Sequence, residues 1–116
     1  MNIKFLTKNL FNSLIIVLLF AAADYFFHQL SAEYSVPPRY FPNKIIYGTI
    51  FLFISLWVFS RLSLWRRSFL SALIVSALLQ ARYFFEGYPL DFVLIFLFIH
   101  FIILFLLCYW YFKIVK

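Results

Sequence analysis

The chain has 116 residues, 66% of them hydrophobic and 12% charged, with a formal net charge of +6, whereas soluble domains run at roughly 45–50% apolar and 25% charged. A domain of this size buries only about 60–70% of its unfolded surface, so its interior is too small to hide this composition from water, and a soluble globular fold is excluded. The basic residues form no stripe on a soluble surface, which excludes nucleic acid as a partner and leaves the lipid bilayer as the solvent.

About 20 apolar residues cross a bilayer, and four segments qualify, at about 10–30, 44–60, 68–86 and 90–112. Continuous apolar runs replace the period-two alternation of a barrel strand, so the spans are helices. Span one follows Lys4 and Lys8. Its stretch from Leu14 to Phe20 and the small residues Ala21, Ala22 and Ala23 also fit a signal peptide cleaved after Ala23. The apolar run continues through Tyr25, Phe26 and Phe27, long enough to stay as a span, and retention is the expectation. A Pro-containing loop at 35–42 leads to span two, a basic turn at 61–67 joins spans two and three, and a tight turn at 86–89 joins spans three and four. Proline interrupts helix interiors and constrains its predecessor, and such short connectors make neighbouring helices antiparallel. The expected architecture is an all-α membrane protein, a four-transmembrane-helix antiparallel bundle forming a single integral membrane domain over residues 1–116.

Orientation follows from the basic residues at the span ends, since basic loops resist translocation. Lys4, Lys8, Arg61, Arg66, Arg67, Lys113 and Lys116 fall on one side, and only Arg39, Lys44 and Arg82 on the other, together with all four acids, Asp24, Glu33, Glu86 and Asp91. Both termini are therefore expected in the cytoplasm, as in a multi-pass protein of the bacterial inner (cell) membrane. Trp57, Trp65 and Trp110 gather toward the basic side and suit an interfacial aromatic belt.

Ionisable groups inside a span cost roughly 2.5–3.5 kcal/mol each on insertion scales, so they face the bundle and seek partners. Asp24 and His28 are four apart on span one, as are Arg82 and Glu86 on span three, and each pair shares a helix face. Contact between spans one and three would stack two tiers, Asp24 with Arg82 and His28 with Glu86. Small residues at Ser68, Ala72 and Ser76, with Ser71, Ala77 and Ala81 alongside, favour close approach of span three, which is expected at the centre, with much of the span four surface toward lipid. The tiers read either as a structural polar clamp or as an outward pocket in which Asp24, His28, Arg82 and Glu86, helped by Lys44 and Arg39, bind an anionic group. His100 lies near the midplane, where Gln80 or Ser55 is the expected hydrogen-bond partner.

No metal site is expected: beside Asp24 and His28 a third ligand would come from Glu86, Glu33 or Asp91, and Arg82 would repel the cation. No catalytic residue is assigned, because there is no Gly-x-Ser-x-Gly elbow and no phosphate-cradling glycine loop. A hydrolase pairing His100 with Ser55 or Ser76 is a minor reading, and no cofactor is implied. The single cysteine, Cys108, permits no internal disulfide.

Asn43-Lys44 opening span two and Asp91 opening span four, within four spans of this topology, resemble the VanZ-like membrane proteins. Asn43 stands where that family has Asp and Tyr47 where it has His, so no residue role is carried over. In length and topology alone the chain is similar to small inner-membrane immunity proteins that protect against pore-forming bacteriocins. The first functional reading is a non-enzymatic interaction protein, an accessory subunit or an immunity-type protein, with other membrane proteins or further copies of itself as partners. The alternative is a small carrier or lipid-handling protein whose outward polar pocket binds an anionic headgroup or ion.

Overall fold

The computed structural model describes residues 3–115. Its four helices are α1 (Ile3–His28), α2 (Tyr40–Val58), α3 (Leu64–Phe85) and α4 (Leu90–Val115), with one 3-10 turn at Ala32–Tyr34 between α1 and α2. All four are long and apolar enough to cross a membrane. The helices pack lengthwise into a bundle of 44 × 25 × 24 Å, whose long dimension exceeds a hydrocarbon core of roughly 30 Å.

The termini of the helices differ from the sequence expectation for local reasons. The α1 helix starts at Ile3 rather than near residue 10, because Lys4 and Lys8 are good helix formers that sit on solvated turns beyond the apolar run. At the other end of the first connector, α2 starts at Tyr40 rather than at Lys44. Pro42 falls in its first turn, where the missing N–H costs nothing. Lys44 is thereby carried into the second turn of α2 and is buried. The tight turn before α4 is made by Gly87, whose φ of +88° is open to glycine but strained for other residues.

The helices form a ring in which α1 packs on α2 and α4, and α3 packs on α2 and α4. Contact between α1 and α3 was the expectation, and here the structure corrects it: they lie on the diagonal. No helix is central. The α3–α4 interface is the most extensive. Small side chains explain this, since Ser68, Ser71, Ala72 and Ser76 are all fully buried and let α4 approach closely. Helix α4 answers with Phe96, His100, Leu104 and Cys108, a buried stripe at four-residue spacing. It is thus integrated in the core, whereas its other faces carry exposed residues such as Phe98 and Ile102.

Two apolar clusters divide the interior. The larger one includes Ile16, Val17, Phe20, Leu52, Val75 and Leu104 and fills the half nearer the chain ends. The smaller one, Tyr40, Tyr83, Phe92, Val93 and Phe96, fills the other half. An even number of antiparallel helices brings residues 3 and 115 to the same end of the bundle, called here the terminal end, and places all four acids in the opposite half.

Candidate binding site

Between the two apolar clusters the bundle buries four polar side chains in mutual contact: Asp24 and His28 from α1, Lys44 from α2 and His100 from α4. None is more than 5% exposed. The Lys44 ammonium donates to Asp24 Oδ2 and lies 3.2 Å from His28 Nε2. His100 Nε2 lies 2.7 Å from Asp24 Oδ1, and His28 Nε2 3.3 Å from the same oxygen.

Donor and acceptor identities settle the tautomers. His28 Nδ1 is 2.6 Å from the Tyr34 carbonyl, which can only accept, so Nδ1 carries the proton and Nε2 presents its lone pair to Lys44. His100 Nε2 faces a carboxylate and donates to it, leaving Nδ1 buried without a hydrogen-bond partner. With both imidazoles neutral, the one carboxylate and the one ammonium balance, the arrangement that buries least net charge. Ring packing holds it in place: His28 stacks on Phe96 at 4.1 Å and 4°, and His100 meets Phe20 edge-on at 4.9 Å.

Gly48, one turn beyond Lys44, sets how closely α2 approaches α1. A Cβ there would lie 3.2 Å from Val17 Cγ1, so a side chain would push the helices apart and draw Lys44 away from Asp24.

The second pair of sequence candidates forms a separate site nearer the surface. Arg82 Nε lies 2.6 Å from Glu86 Oε2, with both side chains more than a third exposed. The Tyr40 hydroxyl donates to Glu86 Oε1, and the Arg82 guanidinium sits 4.4 Å from the centre of the Tyr40 ring. The Tyr40 hydroxyl and then Arg82 hold the Glu86 carboxyl below the usual carboxylate range. The expected tiers of Asp24 with Arg82 and His28 with Glu86 do not form. Asp24 takes Lys44 and His100 as partners because α2 and α4 are its neighbours in the ring, and α3 is not.

Gln80 and His100 are not partners either. Gln80 Nε2 donates to the Val93 carbonyl at 2.9 Å, spanning the α3–α4 interface, while His100 faces α1. The Ser76 hydroxyl donates back to the Ala72 carbonyl at 2.6 Å and is engaged within its own helix. The expected third metal ligand is corrected as well, since His100, and none of Glu33, Glu86 or Asp91, converges with Asp24 and His28, their ligand atoms all within 4.8 Å of one another. Those three side chains are a ligand set in type, but Lys44 already contacts two of them. The protein carries its own cation at that point.

Lys44 also reaches a groove of about 390 Å³ between α2 and α3. Tyr40, Asn43, Lys44 and Arg82 supply its polar wall, and Phe51, Leu78 and Leu79 line it with apolar surface. Lys44 was legible in the sequence only as a helper at the mouth. The signal for its deeper role is Pro42 two residues earlier, a first-turn proline that places Lys44 within the helix.

No protein-family model matches the chain, and neither the curated proteins nor the solved structures give a match. Function is therefore argued from the site.

Proposed function

We propose that this small polytopic membrane protein binds an anionic amphiphile, a lipid with a phosphate or carboxylate headgroup, in the groove between α2 and α3. The observation that carries this reading is that one cavity combines two cationic side chains, Lys44 and Arg82, with a wall of Phe51, Leu78 and Leu79. A headgroup meets the first set and an acyl chain the second. Both cations retain donors for a ligand. Lys44 has three N–H groups, with contacts to Asp24 and His28, and Arg82 uses Nε on Glu86 and keeps the N–H groups of its two terminal nitrogens. Lys44 and Arg82 in the groove, with Arg39 beside Tyr40, stand against Glu86 near the surface and Asp24 buried behind Lys44, an excess of one positive charge that suits an anion. Hydrogen bonds to charged groups contribute about 1.5–3 kcal/mol each in such settings.

On this reading the chain keeps its first span, for cleavage after Ala23 would remove Ile16, Val17 and Phe20 from the core. Both termini lie in the cytoplasm and the groove opens toward the outer leaflet of a bacterial cell membrane, in accord with the basic residues at the terminal end. The role is binding or handling of the lipid, without catalysis.

The test is binding of a short-chain anionic phospholipid to purified protein in zwitterionic nanodiscs. Arg82→Gln should lower affinity by about tenfold, the equivalent of 1.4 kcal/mol, while helicity and thermal stability hold. The interaction-protein reading, whether as an accessory subunit, an immunity-type protein or a homo-oligomer, places function on the outer helix faces. It expects lipid affinity to be indifferent to Arg82.

A further inference from the structure

The terminal end of the bundle holds a second cavity, of about 230 Å³, lined from every helix. Lys8, Asn9 and Asn12 reach it from α1, Ser60 from the turn after α2, Arg67 from α3 and Phe112 from α4. We infer that this cavity is a binding site for a phosphate-bearing headgroup, supplied by an anionic phospholipid of the leaflet at that end. The inference does not depend on the α2–α3 groove. Ile16, Val17, Phe20, Leu52, Val75 and Leu104, all fully buried, separate the two with dry core.

Charge is the first argument. In the groove each cation already faces a carboxylate, Lys44 with Asp24 and Arg82 with Glu86. At the terminal end Lys8 and Arg67 flank one cavity with no Asp or Glu side chain in that half of the bundle, since Asp24, Glu33, Glu86 and Asp91 all lie in the other. Among the described residues these two cations come together without an acidic side chain, and such a pair attracts an external anion.

The polar groups are also held in place. Asn12 is 7% exposed, and its Oδ1 accepts from the Tyr111 hydroxyl at 2.7 Å, which leaves the amide N–H groups as its donors. The Arg67 guanidinium sits 5.2 Å from the Phe112 ring centre, a cation–π contact that holds the charge at the cavity. Ser60 adds a hydroxyl able to donate to a phosphate oxygen or accept from a glycerol hydroxyl.

Size and surroundings point the same way. At roughly 30 Å³ per water the cavity has room for a phosphate ester with a small polyol. Phe5 and Leu56 add apolar surface to its lining, where the first methylenes of a lipid would lie. Trp57, Trp65 and Trp110, each about half exposed, occupy the same end of their helices, as interfacial aromatics do.

Those tryptophans, the only three in the chain, make the experiment specific to this end. The full chain is reconstituted in zwitterionic nanodiscs doped with an anionic phospholipid brominated on its acyl chain, with brominated zwitterionic lipid at the same mole fraction as the reference. Wild type should show more tryptophan quenching by the anionic lipid than by the reference. Lys8→Gln with Arg67→Gln should lose that excess, an apparent affinity loss on the order of thirtyfold for two basic contacts. Lys8→Arg with Arg67→Lys should keep it, and circular dichroism reports folding of each variant. Glycerol phosphate in excess separates the sources: persistence of the excess quenching assigns the site to lipid, and its removal assigns it to a soluble phosphate ester. Equal quenching by both brominated lipids in wild type, or an excess that survives in the folded Gln double variant, overturns the inference.

Discussion

Asp24 and Lys44, twenty residues apart in sequence, meet as an ion pair inside the bundle, the carboxylate fully buried and the ammonium 5% exposed. Each is the other's charge compensation, and His100 donates to the other carboxylate oxygen. Removing one member leaves a bare charge away from water. Asp24→Asn is therefore expected to destabilise the bundle by about 3–5 kcal/mol, measured by reversible unfolding in detergent. Adding Lys44→Met to it should restore much of the loss. The coupling should exceed about 1 kcal/mol, because the two residues are in contact, whereas Asp24→Asn and Arg82→Gln should add within about 0.5 kcal/mol. A large Asp24–Arg82 coupling would contradict the ring arrangement.

Lys44→Ala should turn the buried cluster into a metal site. Asp24, His28 and His100 already bring their ligand atoms within 4.8 Å of one another, and the groove provides a route in. The small side chain removes the resident cation and frees the Nε2 lone pair that His28 now points at Lys44. Cobalt titration should show d–d absorption bands of low-coordinate N/O ligation at one equivalent in Lys44→Ala, and none in wild type at the same concentration. Adding His100→Ala should abolish them.

Gly48 is expected to tolerate little. Ala gains about 1 kcal/mol of helix propensity over Gly, and the 3.2 Å contact of its Cβ with Val17 Cγ1 works against that gain, so Gly48→Ala should lie near neutral. Gly48→Leu has no such accommodation and should cost about 1–3 kcal/mol through overpacking. Because it forces α2 from α1 just below Lys44, it should also weaken lipid binding in the groove. A fully stable Gly48→Leu with unchanged lipid affinity would contradict the close approach of the two helices.

Glu86 gives a pH dependence whose sign is set by its depressed pKa. The Tyr40 hydroxyl and Arg82 favour the ionised carboxylate, so its contribution is fully present above the ordinary carboxylate range and is lost as pH falls through the lower folded-state value. Tyr40→Phe removes the hydroxyl that donates to the carboxylate, and the Glu86 carboxyl should then titrate at higher pH, closer to an ordinary glutamate. Carboxyl carbon shifts of the labelled side chain would read this directly, and an unmoved titration would place the lowering elsewhere.

Much of the architecture was legible before any tertiary information. Apolar run length alone gives four helices, since a bilayer demands about 20 residues of them, and the short connectors give their antiparallel order. The i, i+4 pairs Asp24/His28 and Arg82/Glu86 were also readable, and both are in contact in the structure, because helix geometry is local. Small residues marked α3 as a close-packing helix for the same reason. His100 reads as needing a partner, but the expected Gln80 or Ser55 is not the one it takes, which is Asp24.

Which helices are neighbours is a different kind of fact. Four antiparallel helices of nearly uniform apolarity can be arranged around one another in more than one way, and hydropathy does not distinguish them. Tertiary packing alone put α1 and α3 on the diagonal, turned His100 toward Asp24 instead of Gln80, and drew Lys44 inward past Pro42 and Gly48. The periodic and compositional features of the sequence determine the spans and the separation of acids from bases, since each depends only on residues adjacent along the chain and on the solvent they meet. The buried Asp24–Lys44–His28–His100 set depends on the relative rotation and spacing of three helices, which side-chain volumes at their interfaces decide.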